Sequence, residues 1–237
     1  MKKKSSVLCV GVLVFGSLPI ADAANITLDL NSLPSAQGFT YTSIGPSVSE
    51  GTIFSVNGNM LHQNALGIPL SGSGDSGYNM YNLVNPLLSY TLNITARVTD
   101  EEAPNSQNHC GFYFGAADGN GTSYMCLGKS IIQVENTNKQ EFIPFNNTQF
   151  NTYTISATPG VDTNYYVDGL LIASLQPRLD ITSNYIFFGD GTGGAKTEAD
   201  ISFFQFSQSA VPIPAAIWMV GSALVGLVGF TRRKLPL

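Results

Sequence analysis

The stretch SYTLNITARVT, Ser89 to Thr99, decides the fold. Tyr90, Leu92, Ile94, Ala96 and Val98 alternate with Ser89, Thr91, Asn93, Thr95, Arg97 and Thr99, and a period of two puts every second side chain on one face of an extended strand. One face is apolar and the other is wet. Ile26-Leu28-Leu30 and Tyr153-Ile155-Ala157 repeat the pattern, while the continuous apolar runs Tyr185 to Phe188 and Ile201 to Phe206 predict strands buried on both faces. Asn57-Gly58, between TIFSV and NMLHQ, and Asp168-Gly169, between NYYV and LLIAS, read as two-residue hairpin loops, because both favour positive φ. No segment between the two ends of the chain carries a helical period. An all-β, two-sheet antiparallel sandwich follows.

Both ends differ from this body. Lys2, Lys3 and Lys4 precede an apolar run from Val7 to Leu18, and Pro19 then breaks it ahead of Ala21-Asp22-Ala23, a small-x-small cleavage site. Residues 1–23 are therefore expected to be a signal peptide cut after Ala23, and Cys9, inside the apolar run, does not mark a lipoprotein. From Ala215 to Phe230 no residue is charged, and Arg232, Arg233 and Lys234 follow. At 1.5 Å per residue such a helix spans about 24 Å, short against about 30 Å of bilayer hydrocarbon. Pro212 and Pro214 fall at or before its first turn, Trp218 sits at interface depth, and the basic end is expected on the cytoplasmic side.

Val211-Pro212-Ile213-Pro214-Ala215, an apolar helix over 215–230, and Arg232-Arg233-Lys234 together resemble the PEP-CTERM sorting tail of Gram-negative bacteria in its VPxPA variant. The resemblance implies an exosortase as partner, a transient inner-membrane tether through residues 211–237, and delivery to the cell surface or extracellular matrix. Glu is commoner at the position of Ile213, which leaves the matching sorting enzyme open. A GPI signal would lack the basic stop. A eukaryotic single-pass receptor would suit the four Asn-x-Thr sequons at Asn25, Asn93, Asn120 and Asn146, but calls for a longer span.

The body, residues 24–210, is one domain of ordinary size. Six of the 11 basic residues and one of the 16 acids lie in the end segments, so the body holds 5 basic against 15 acidic groups, a formal charge of −10. That balance excludes a cationic nucleic-acid surface and offers oxygen ligands to hard cations. Only Cys110 and Cys126 remain after signal removal, flanking a hairpin whose loop, centred on Asp118, would pair Phe112 with Tyr124 and Cys110 with Cys126. A cross-strand disulfide is expected in an oxidising compartment. The loop GIPLSGSGDSG, 67–77, reads as a mobile surface loop near a site.

NTYTISA, NYYVDGLLIASL, YIFFGDGTGG and ADISFFQFS, in that order between Asn151 and Ser207, resemble the C-terminal half of concanavalin A-like lectin/glucanase and laminin G-like jelly rolls. The resemblance implies that the strand near Ile26 pairs close to the strand near Phe204. Glucanases of that superfamily carry a nucleophile and an acid/base Glu in the pattern E-x-D-x-E. The nearest match here is Glu198-Ala199-Asp200-Ile201-Ser202, where Ser202 cannot act as the proton donor. Asp100-Glu101-Glu102 reads as a solvated turn, and His62 and His109 stand alone in the sequence. The expectation is a non-enzymatic surface protein, adhesive or structural with weak glycan recognition, the alternative being a divergent glycoside hydrolase. No cofactor is required. Asp118, Asn120 and Thr122, and Asp190 and Thr192, form two loops with the oxygen chemistry for Ca²⁺ or glycan, though Lys129 replaces the Glu that would complete an EF-hand. Turn formation alone accounts for both loops. Tyr78, Tyr81, Tyr113 and Tyr124 are candidates for stacking on sugar rings.

Overall fold

The computed structural model describes residues 24–43, 48–68, 76–102, 110–135, 139–179, 183–191 and 195–209. The signal segment, the tail from 210 to 237, His109, Thr192 and most of the 67–77 loop lie outside these. In chain order the strands are β1 Asn25–Thr27, β2 Thr40–Ser43, β3 Phe54–Val56, β4 Leu61–Asn64, β5 Ser76–Tyr81, β6 Tyr90–Glu102, β7 Phe112–Asp118, β8 Thr122–Leu127, β9 Ile131–Glu135, β10 Gln140–Pro144, β11 Asn151–Thr158, β12 Asp162–Val167, β13 Leu170–Leu175, β14 Asn184–Asp190 and β15 Lys196–Gln208. A 3-10 turn at Pro34–Gln37 and one helical turn at Glu50–Ile53 are the helical elements among the described residues. None of the described helices is long and apolar enough to cross a membrane.

The strands form two antiparallel sheets. The first runs β13-β12-β11-β6-β15-β4-β3, with β1 also on β15, and the second runs β10-β9-β8-β7-β14-β5-β2. The long strands β6 and β15 form the spine of the first sheet, and Ile26 of β1 pairs with Phe206 of β15, close to the pairing that the jelly-roll resemblance implies.

The period-two reading of β6 holds along its length: Tyr90, Leu92, Ile94, Ala96 and Val98 are buried, and the residues between them are half-buried. Inward-facing residues of both sheets meet in one core. Phe188 of the second sheet and Phe204 of the first lie 4.9 Å apart, with Phe39 packed edge-on against both. Each such ring removed from water stabilises the fold by about 1.5–3 kcal/mol.

Three local expectations are corrected. Strands β14 and β15 are not buried on both faces. Tyr185 and Phe187 are half-buried on the outer side, and Phe203 is exposed where a register shift between Ile201 and Phe203 interrupts the alternation. In the β3–β4 hairpin the positive-φ pair is Gly58-Asn59, one residue later than expected, closed by reciprocal Asn57 and Met60 backbone bonds. In the β7–β8 hairpin Phe112 pairs with Leu127 and Tyr113 with Cys126, a slip of three from the expected register. Its cause is the side chain of Asp118, which accepts the Asn120 and Gly121 N–H groups and so stands at the first corner of the turn, not at its centre. Asp168-Gly169 forms its hairpin as expected, both residues at positive φ.

Candidate functional site

The outer face of the first sheet is a polar surface of Thr, Asn and Ser with one charged row. Ser55 of β3 pairs with His62 of β4, His62 with Asp200 of β15, and Asp200 with Arg97 of β6, so four adjacent strands contribute one side chain each. Their neighbours in sequence, Leu61, Ala96, Ala199 and Ile201, are fully buried. Core packing on the inner face therefore fixes which residues line up outside.

His62 Nδ1 lies 2.8 Å from Asp200 Oδ1, and Nε2 lies 3.3 Å from Glu198 Oε1. Arg97 donates from Nε at 2.8 Å and approaches with Nη2 at 2.7 Å, both to Asp200 Oδ2. Burial opposes ionisation of Asp200, but its bonds to His62 and Arg97 and their charges outweigh it and hold the carboxyl below the ordinary Asp range. The Arg97 guanidinium lies 4.7 Å over the centre of the Phe150 ring, which is 39% exposed. Beside the row opens a pocket of about 210 Å³ lined by Ser55, Asn57, Met60, His62 and Asp200. Two carboxylates on one strand face, an imidazole between them and an adjoining cavity are groups able to exchange protons with a bound substrate.

Ser202, the third position of the glucanase-like pattern, points its hydroxyl at the Thr95 carbonyl, 3.3 Å away. His62 was invisible to the sequence reading. It lies 138 positions from Asp200, and no local pattern announces a contact of that range.

The second sheet carries a different outer face. Glu135 is nearly buried and accepts from Arg178 at 2.6 Å, Gln140 at 2.7 Å and Gln133 at 3.1 Å. Burial raises its pKa, yet the bonds from Tyr124 and Gln140, the Arg178 charge and the Gln133 bond together hold it below the ordinary Glu range. Arg178 is held here by Thr122 of β8, the two exchanging backbone bonds of 2.9 and 2.7 Å.

The remaining sequence candidates are dispersed. Asp118, 1% exposed, holds its own turn, and burial raises its pKa. Asn120 reaches the Pro86 carbonyl at 3.4 Å, and Thr122 is buried. Asp190 is buried at the end of β14, its carboxylate 3.4 Å from the Thr197 N–H. Among the described residues no group of three or more His, Cys, Asp or Glu is arranged to hold a metal ion. Cys110 and Cys126 are joined in a disulfide with Cα atoms 5.5 Å apart. Tyr78 is a core residue whose hydroxyl donates to Glu50 at 2.7 Å, and Tyr124 is buried against Tyr113, which removes both Tyr78 and Tyr124 from an exposed stacking surface. Tyr81, half-exposed beside Tyr185, remains outside.

No family model matches this chain, and no curated protein matches it. Solved structures do. An endo-1,3-β-glucanase from Streptomyces sioyaensis superposes with a TM-score of 0.55 at 11% identity, over 83% of this chain and all of that one. The fold is a concanavalin A-like jelly roll. A β-glucanase from Bacillus licheniformis superposes with a TM-score of 0.50 at 13% identity over 77% of this chain and 97% of its own, and a protein of unknown function from Shewanella oneidensis with 0.53 at 12% over 82% and 91%. These likenesses correct the expectation of an adhesive or structural protein, since two of these three solved structures are glucanases. They favour the alternative of a divergent glycoside hydrolase.

Proposed function

We propose that this chain is a glycoside hydrolase of the jelly-roll class acting on a neutral polysaccharide, with Glu198, Asp200 and His62 as its reactive groups. The observation that carries the reading is that Glu198 and Asp200 project from the same face of β15 and share one imidazole beside a pocket.

Glycoside hydrolysis requires one group to protonate the leaving oxygen and another to meet the developing positive charge at the sugar carbon. Asp200, kept ionised by Arg97 and His62, suits the second role. Glu198, with 27% of its side chain exposed against 10% for Asp200, is the more open to a leaving group. His62 touches both and, with Asp200 ionised throughout, can return a proton to Glu198 after that carboxyl has given its own to the leaving oxygen. This departs from the glucanase pattern that the sequence resembles, in which a third residue of the same strand is the acid; here Glu198 is the acid, and the imidazole that supports it comes from the neighbouring strand β4. Phe203 on β15 and Phe150, just ahead of β11, are exposed and offer faces for sugar rings.

Charge supports a neutral substrate. Each of the five cations of the body faces a carboxylate: Arg97 Asp200, Lys129 Asp100, Lys139 Glu141, Arg178 Glu135 and Lys196 Glu102. An acidic polymer would approach a surface of net negative charge with those cations already paired.

The test is release of reducing ends from β-1,3-glucan, mixed-linkage β-glucan and a uronate polymer. Release from neutral glucans, abolished in Glu198→Gln and Asp200→Asn with folding intact, is expected. No release from any polymer, or release indifferent to both substitutions, overturns the reading. As a further part of the proposal, the chain is exported, cut after Ala23 and released by an exosortase near Val211 to Ala215. Mass spectrometry of mature protein should then find Ala24 at the N-terminus, and a mature chain that retains Trp218 would contradict tail processing.

A further inference from the structure

The loops at one end of the sandwich carry three exposed apolar side chains, and the opposite end carries Leu170 at 72% and Leu171 at 51% exposure, so the path of the chain decides between the two ends. Leu87 is 83% exposed, Leu179 65% and Val161 59%. They belong to separate connections that converge on the β7–β8 turn. Asn120 of that turn reaches the Pro86 carbonyl at 3.4 Å, a Cβ on Gly160 would stand 3.9 Å from the Asn120 Cβ, and a Cβ on Gly121 would touch Pro177 at 3.0 Å. Leu87, Val161 and Leu179 each directly follow one of these contacting residues or lie two beyond it.

The chain leaves the sandwich at the same end. Gln208 donates to the Asn85 and Leu88 carbonyls at 3.0 and 3.2 Å and accepts the Asn85 N–H at 2.8 Å, and the Ser209 N–H reaches the Ser89 carbonyl at 3.3 Å. Leu87 therefore lies inside the loop that holds the last residues of β15. Beyond Ser209 the proline-free apolar run opens at Ala215, six positions on, and six extended residues reach at most about 21 Å.

We infer that, until the tail is cut, this apolar end rests on a lipid surface that holds the 215–230 run, an inference that rests on reading that run as a membrane segment. The occupant is a bilayer, because the connection is too short to let the end stand far from it, and exposed Leu and Val on such an end gain by entering the headgroup boundary. The arrangement also fixes an orientation. Asp200 is eight residues from Gln208 along β15, so the Glu198–Asp200 row stands about 26 Å from the lipid end at 3.3 Å per residue. The candidate site is held away from the membrane and open to polymer outside. This inference concerns docking and stands or falls independently of hydrolysis.

The experiment uses the full chain with Trp218→Phe, reconstituted in phosphatidylcholine/phosphatidylglycerol vesicles that contain a nitroxide-labelled lipid. A reporter tryptophan is placed by Leu87→Trp, and by Leu170→Trp at the opposite end, where Leu170 follows the Asp168-Gly169 turn and is 72% exposed. Quenching of the Leu87→Trp reporter at least twice that of the Leu170→Trp reporter is expected, falling towards the latter when Val161→Ser and Leu179→Ser are added. Equal quenching at both positions, or none at either while the tail is inserted, overturns the inference.

Discussion

His62 and Asp200 sit on facing strands with Nδ1 and Oδ1 2.8 Å apart, and the same imidazole reaches Glu198 through its other nitrogen at 3.3 Å. The Nδ1 contact is a hydrogen bond, and the Nε2 contact brings the second carboxylate within ion-pair distance. The bridge ties the edge hairpin of β3 and β4 to the spine of the first sheet, so the reactive groups proposed here also serve the fold.

Asp200→Asn should lower stability at pH 7 by about 1–3 kcal/mol, the range for losing an ionic hydrogen-bond acceptor from a buried network. The folded-state pKa of Asp200 is depressed, so its contribution is present above the unfolded value of about 3.9 and is lost as pH falls through the folded pKa. Urea unfolding of wild type and variant should therefore differ at pH 7, and the gap should narrow as pH falls below about 4. A gap of the same size at every pH down through the acid range would assign the effect to packing.

Gly189→Ala tests a backbone contact in the second sheet. Gly189 has φ +144°, and a Cβ there would lie 2.5 Å from the Gly77 Cα and 2.6 Å from the Ser76 carbonyl oxygen. The neighbours are backbone and cannot rotate away. A loss of about 2–4 kcal/mol is expected from overpacking and strain together, read from the thermal midpoint.

Removing the Cys110–Cys126 bridge, which closes a separation of 16 residues, should cost about 3 kcal/mol in the chain-entropy account. The double Ala variant and wild type in reductant should shift by similar amounts in denaturant titrations, and a free-thiol assay on unreduced mature protein should return none.

Arg178→Met leaves the nearly buried Glu135 carboxylate without its cation. Because Arg178 is about two-fifths exposed (39%), the loss should be about 1–2 kcal/mol, less than for a fully buried pair. Adding Glu135→Gln should restore most of it, since Gln133 and Gln140 can still bond a neutral amide. A double-mutant cycle in urea reads the coupling directly, and additive losses would mean that the two side chains act separately.

The sequence was legible where structure follows from neighbours along the chain. The alternation in 89–99 and the Asp168-Gly169 turn predicted β6 and the β12–β13 hairpin, because one depends on strand geometry and the other on a dipeptide that accepts positive φ. The reading slipped where a side chain redirects a turn, as Asp118 does by accepting two N–H groups. It also slipped at β15, where a register shift exposes Phe203 inside an apolar run.

Taken alone, the sequence determined an acidic all-β sandwich, because hydrophobic period and turn chemistry are local properties. Tertiary structure alone decided that His62, Arg97, Glu198 and Asp200 share one outer row, and that Leu87 lies beside the chain's exit at Ser209. Those meetings depend on sheet register between strands more than a hundred residues apart, which is set when the inner faces pack and drags the outer side chains into line.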